Sequence, residues 1–202
     1  IQKLLVENST IHNCQGYGLA ISYAKVQVYN TQISNTLNHC LYVEGGHVDV
    51  NNSTIAQFYP FDGNRRSAIG FKAPIDTLDV RNSLVTGYGN DEVLWTPVEE
   101  EPLKFCFDHC VLRTEKMMTE DSLRFTHVVY EDVKDTTMYG EKHFSVFDTE
   151  NLIYDFHLSA KSAAIGAADP KTALPYDRNG LKREEDKADA GCFLYRDEKK
   201  EE

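Results

Sequence analysis

Seven side chains in the first half of the chain, two aromatic, two acidic and three basic, are of types that can bind a polar ligand. Tyr42, Glu44 and Lys72 fall at alternate positions of short apolar runs, and Tyr59, Asp62, Arg65 and Arg66 share a polar stretch between two such runs. Aromatic faces stack on sugar rings, while carboxylates and cations hydrogen-bond hydroxyl and uronate groups, so the set suits an acidic or neutral saccharide. Hydrolysis of a glycosidic bond asks for more, namely two carboxyl groups about 5 to 9.5 Å apart. Glu44 and Asp62 meet that requirement only if the stretch carrying Asp62 folds back over the run carrying Glu44. β-Elimination instead needs a Lys or Arg base beside the acidic C5 proton and a cation, often calcium held by several carboxylates. We find no row of aspartates at a regular spacing to hold one. The plainer reading of Glu44 and Lys72 is that they are solvated strand residues.

Other chemistry is harder to assemble. The histidines, His12, His39, His47, His109, His127, His143 and His157, share no ligand spacing. Cys106, His109 and Cys110 are close together, but alternation along a strand divides them between two faces, so neither a metal nor a cofactor is expected. The five cysteines are an odd number with no Cys-x-x-Cys pair and read as small buried hydrophobes. No serine has the context of a nucleophile elbow.

The chain has 202 residues, 41% of them hydrophobic, enough to bury a core in one domain or one elongated repeat array. Its net charge of −11 repels phosphate and anionic membranes, and no Lys/Arg stripe counters it, so nucleic acid is excluded as a partner. Glu99 to Glu101, Glu184 to Asp186 and the tail from Arg196 to Glu202 read as solvated or disordered charge. No apolar run is long enough to span a bilayer. Ile1 falls inside a repeat, which leads us to expect an export signal and opening turns upstream.

That repeat is what must position the side chains. Val6-Glu7-Asn8-Ser9-Thr10-Ile11 recurs at positions 28 and 50, a spacing of 22 residues, then more loosely as Val80-Arg81-Asn82-Ser83-Leu84-Val85 and Phe107-Asp108-His109-Cys110-Val111-Leu112. Leu19-Ala20-Ile21, Leu41-Tyr42-Val43 and Ile69-Gly70-Phe71 keep the same phase. Alternating apolar residues rich in β-branched types and broken by Asn, Gly or Ser predict strands and turns rather than helices. A leucine-rich repeat has a similar period but wants Leu-x-x-Leu-x-Leu before its Asn. Units this short must stack to bury a face, which predicts an all-β solenoid of coils about 4.8 Å apart. Asn8, Asn30, Asn52 and Asn82 then form a ladder whose amides bond from one coil to the next, in the left-handed turn that Asn tolerates. The ladder also accounts for the glycosylation-like Asn8-Ser9-Thr10 and Asn52-Ser53-Thr54.

With its Val-x-Asn-Ser/Thr-x-Ile coils over residues 1–112, the chain resembles the pectate-lyase-like right-handed parallel β-helix proteins. Its last third resembles the closing segment of exported bacterial members: Phe156-His157-Leu158, Ser162 to Asp169, Asp177-Arg178-Asn179-Gly180 and Asp189 to Phe193 follow the order of the family's Ser-Pro-Ala-Ile-Gly-Ala-Gly-Asp, Asp-Ile-Asn-Gly and Asp-Ile-Gly-Ala-Tyr patterns, with departures at Ala163, Ala168 and Cys192. The resemblance implies coils over 1–112, irregular turns or an excursion over 113–146, and a closing segment over 147–202 that packs along the stack and covers its open edge. Residues 58–67 are expected as an insertion that leaves the core untouched. The resemblance further implies a secreted or cell-surface protein whose substrate lies across outward residues of one sheet, here Ala20, Ser22, Tyr42, Glu44, Gly70 and Lys72, bordered by Tyr59, Asp62, Arg65 and Arg66. Three functions stay open: contact with polysaccharide without catalysis, a structural or adhesive rod with no small-molecule site, and a lyase or glycosidase whose catalytic coils lie upstream.

Overall fold

The computed structural model of the chain describes residues 3–115 and 123–197. The fold is all-β, and each of the first four passes of the chain lays one strand in each of three parallel sheets. The first coil holds β1 (Lys3–Glu7), β2 (Thr10–Cys14) and β3 (Leu19–Ser22), and the second β4 (Lys25–Tyr29), β5 (Gln32–Thr36) and β6 (Leu41–Glu44). The third holds β7 (His47–Asn51), β8 (Thr54–Gln57) and β9 (Ile69–Lys72), and the fourth β10 (Ile75–Arg81), β11 (Leu84–Gly87) and β12 (Val93–Thr96). Two shorter coils follow, with β13 (Leu103–Asp108) and β14 (Val111–Leu112), then β15 (Phe125–Thr126) and β16 (Val129–Tyr130). Every strand pairs in parallel with its equivalents one coil away, an architecture compatible with a parallel β-helix.

The register explains why the spacing mattered. Val6, Val28, Val50, Val80, Phe107 and Phe125 are successive partners in the first sheet, and Ile11, Ile33, Ile55, Val85, Leu112 and Tyr130 in the second. Leu19, Leu41, Ile69 and Val93 make the third column. From the second coil to the fifth these side chains are sealed from water, and burying each contributes about 1.5–3 kcal/mol. The coil that begins at Phe125 comes only 18 positions after Phe107, so its phase is lost in the sequence although its strands extend both sheets.

The ladder asparagines Asn8, Asn30, Asn52 and Asn82 all have left-handed backbones, with φ between 44° and 50°. Coil-to-coil amide bonds of the expected kind join Asn52 Nδ2 to the Asn82 carbonyl (3.4 Å) and Asn82 Nδ2 to Asn51 Oδ1 (2.9 Å), and the next residue adds to them, where the Thr31 amide donates to Ser53 Oγ (3.3 Å) and the Ser53 amide to Ser83 Oγ (3.1 Å). The asparagines also hold the closing segment. Asn30 Nδ2 donates to the Tyr176 carbonyl (2.9 Å), Asn52 Oδ1 accepts from the Leu174 amide (2.7 Å), and Asn82 Oδ1 accepts from the Asp169 amide (2.8 Å).

That segment begins with a hairpin of β17 (Phe144–Asp148) and β18 (Ile153–Leu158) and lies along the flank of the stack. Ala56, Leu84 and Val111 on the outward face of the second sheet pack with Phe144, Phe156, Leu158, Ala164, Ala190 and Phe193 in a second core. The segment covers the flank of the stack over the second to fifth coils, while Val129 in the outermost strand of that sheet is 40% exposed. Three aspartates of the family-like motifs shape its turns. Asp177 accepts from the amides of Asn179, Leu181 and Leu194, Asp189 from those of Gly166 and Tyr195, and Asp169 from that of Lys171. The insertion over 58–67 does enter a core, because Phe58 is fully buried against Tyr88, Phe144 and Phe147. Residues 198–202 of the charged tail and 116–122 of the expected excursion lie outside the described residues. Among the described residues, no helix is long and apolar enough to cross a membrane.

Candidate functional site

Alternation in β6 turns Leu41 and Val43 into the core and leaves Tyr42 and Glu44 partly exposed. Register then sets two rows on the outward face of the third sheet, Ala20, Tyr42, Gly70 and Leu94, and beside it Ser22, Glu44, Lys72 and Thr96. Lys72 Nζ lies 3.6 Å from Glu44 Oε1, with both side chains still open to water, a pair worth at most about 1 kcal/mol. Next to Tyr42, the corner preceding the sheet adds Tyr17 and His39. The three rings form one tier, with centroids 5.3 Å apart for Tyr17 and Tyr42, 5.7 Å for His39 and Tyr42, and 6.2 Å for Tyr17 and His39. Gly70 makes room for it, since a Cβ there would sit 2.5 Å from the His39 ring.

Hydrogen bonding fixes the state of this tier. Ser67 Oγ donates to the Ile69 carbonyl (2.8 Å), so toward His39 Nδ1, 2.9 Å away, it accepts. The proton of a neutral His39 therefore sits on Nδ1, and Nε2 is left as an acceptor. Burial, reinforced by the Arg66 charge, lowers the imidazole pKa against the hydrogen bond to Ser67. Burial and the neighbouring Glu44 and Tyr17 raise that of the Tyr42 phenol. At neutral pH the tier is an uncharged aromatic surface, with Tyr17 42% exposed.

The residues expected around this face divide. Tyr42, Glu44 and Lys72 share it, and Arg66 reaches its border, its amide bonded to the Leu37 carbonyl (3.0 Å) and its charge felt by His39. Tyr59 is 8% exposed and packs its ring on Phe61. Arg65 lies over the Tyr88 ring at 4.8 Å, on the side of the second core. Asp62 accepts from the Asn64 amide (2.8 Å) and shapes its own turn. Glu44 is thus paired with Lys72, and Asp62 is bonded within its own turn. Tyr17 and His39 escaped that reading although they stand 22 positions apart, in phase with the coils.

A second polar face lies outward on the first sheet. Lys25, Gln27, His47, Asp49, Thr77, Asp79 and Arg81 line a groove of about 330 Å³. Asp49 accepts from Tyr29 Oη and from Arg81 Nη2, both at 2.6 Å, and Gln27 Nε2 donates to the same phenol oxygen. Asp79 is the register partner of Asp49, a single aspartate pair flanked in its column by Gln27 and Cys106. The insertion between β8 and β9 stretches that interval to 30 residues. Burial and the Asp49 charge raise the Asp79 carboxyl pKa above its usual range despite Arg81. Burial, together with Asp49, pushes the Tyr29 phenol up to about 12.

Two further clusters carry titratable groups. Ser162 Oγ lies 2.9 Å from His143 Nδ1, and Glu131 Oε1 is 3.1 Å from His143 Nε2, an order of groups reminiscent of nucleophilic catalysis. His143 is fully buried and Ser162 7% exposed, so no substrate reaches them, and they tie the closing segment to the stack. Cys110 is fully buried in the main core, which removes it from any site with Cys106 and His109. His109 meets Asp108 and His127 instead, a group of metal-ligand type.

Compared with family models, curated proteins and solved structures, the chain matches none.

Proposed function

We propose that the chain is an exported, right-handed β-helix protein of the pectate-lyase-like kind that contacts polysaccharide through the outward face of its third sheet. The observation that carries this reading is the tier of Tyr17, His39 and Tyr42, an uncharged aromatic surface beside the Glu44 and Lys72 pair. Sugar rings present flat C–H faces that pack on aromatic rings, while their hydroxyls take hydrogen bonds from the charged rim. Lys72 and Arg66 favour a polymer carrying carboxylates over a neutral one. Affinity electrophoresis of the chain against a panel of uronate and neutral polysaccharides tests it. Retardation by a uronate polymer that is reduced at least about tenfold in Tyr17→Ala and Tyr42→Ala, roughly 1.4 kcal/mol or more, is expected. Equal retardation of the variants and the unsubstituted chain would remove the third sheet as the contact surface.

A second reading, glycoside hydrolysis on the first sheet, is favoured by Asp49 and Asp79. Asp49 accepts hydrogen bonds from Arg81 and Tyr29, while burial raises the carboxyl pKa of its coil neighbour Asp79, which suits that neighbour to the role of general acid. Release of reducing ends that disappears in Asp79→Asn while binding persists would support it, and unchanged release would discard it.

A further inference from the structure

In the upper coils the left-handed corner is held by Asn8, Asn30, Asn52 and Asn82, and in the last two the same column continues as His109 and His127, both with φ 51°. Histidine is among the few side chains other than glycine enriched in that conformation. The column also changes its surroundings. Asn30, Asn52 and Asn82 bond to the closing segment, whereas the His127 side chain is 68% exposed and that of His109 26%. The two rings stack with centroids 4.3 Å apart. Asp108, the residue before His109, places Oδ1 3.0 Å from His109 Nδ1 and 2.9 Å from His127 Nδ1.

We propose that Asp108, His109 and His127 form a binding site for a first-row transition metal ion of the Zn²⁺ class, with its remaining coordination positions open to solvent. Their three ligand atoms lie within 4.8 Å of one another. Metal bonds of about 2.0–2.2 Å set neighbouring ligand atoms roughly 3 to 3.5 Å apart, which the two contacts to Asp108 nearly meet. Modest rotation of the stacked rings brings both Nδ1 lone pairs onto one ion. The scaffold is firm on both sides, because Phe107 pairs with Phe125 and Asp108 with Thr126. Thr126 Oγ1 also donates to Asp108 Oδ1 (2.7 Å), the kind of outer bond that orients a ligating carboxylate. Two imidazoles with one carboxylate select borderline ions, whereas Ca²⁺ asks for six to eight oxygens, and Mg²⁺ for an octahedron of them.

Asparagine supplies the test, because His109→Asn and His127→Asn each restore the residue the column carries elsewhere and keep its backbone preference. Untagged chain is titrated with Zn²⁺, Ca²⁺ and Mg²⁺ by calorimetry, and its melting temperature is followed with Zn²⁺ and with a chelator. One Zn²⁺ per chain, a higher Tm with Zn²⁺, and no response to Ca²⁺ or Mg²⁺ are expected. Each asparagine variant, and Asp108→Asn, should bind Zn²⁺ at least about tenfold more weakly and lose the shift. His127 is exposed, so its variant carries the test even if His109→Asn folds poorly. Absence of Zn²⁺ binding to the unsubstituted chain at millimolar metal, or unchanged affinity in His127→Asn, would overturn the site and leave a hydrogen-bonded His–Asp–His cluster.

Discussion

Glu131 lies between Arg113 Nη1 at 3.4 Å and His143 Nε2 at 3.1 Å, with only 2% of its side chain exposed. Burial alone would raise its pKa, but His143 and the other partners more than offset that and lower it below the usual carboxylate value. A carboxylate stabilised in the folded chain contributes stability above its unfolded pKa and loses it as pH falls through the folded one. Glu92 acts in the opposite direction. Burial pushes its pKa up to about 8 although the amides of Gly89 and Ala68 donate to it. The folded chain then holds a proton that the unfolded chain has released, so stability falls as pH rises from about 4.5 toward 8. Urea unfolding across pH 3 to 9 should therefore show greatest stability near pH 5. Glu131→Gln, which strands Arg113, should cost about 3–5 kcal/mol at that pH. A flat pH profile together with an unaffected variant would contradict both assignments.

At the scale of the strand, stability and site depend on different faces of one element. Inward residues such as Ile55 are sealed between coils, while on the outward side of the third sheet Gly70 leaves the space occupied by His39. Gly70→Ala puts a Cβ 2.5 Å from the imidazole, so the ring must leave the tier or the strand must shift. An overpacking cost of about 1–3 kcal/mol is expected, together with loss of the His39 to Ser67 hydrogen bond. Ile55→Ala should cost more, about 2–5 kcal/mol, without disturbing the tier. Nitrogen chemical shifts of His39 separate the two cases, since only the Gly70 variant should move them. If both variants left His39 alone, the glycine would have no role in placing the ring.

For the whole molecule, the closing segment covers an apolar flank that the coils alone would leave open. Ala56, Leu84, Val111 and Phe58 meet it in the second core, and Arg183, 4% exposed, joins Asn30 to the carbonyls of Asp189 and Gly191. A chain ending at residue 142 would expose that outward face of the second sheet as one apolar patch. Such patches drive association, so light scattering should report aggregates from the shortened chain. A monomeric, cooperatively folded product would show that the flank needs no cover.

The sequence by itself determined the coil. Val6, Val28 and Val50 stand 22 residues apart because parallel strands stack equivalent side chains, and a pattern imposed by packing at every turn is written in the order of residues. It likewise placed Tyr42, Glu44 and Lys72 on one face, since alternation and register are local rules. Where loops change length the rule fails. Asp108 and His127 meet only because the strands re-register after an interval that no fixed period predicts. The destination of the asparagine amides was also a tertiary decision. Residues about 90 to 150 positions away approach that corner, and only the folded path of the closing segment brings Asp169, Leu174 and Tyr176 onto it.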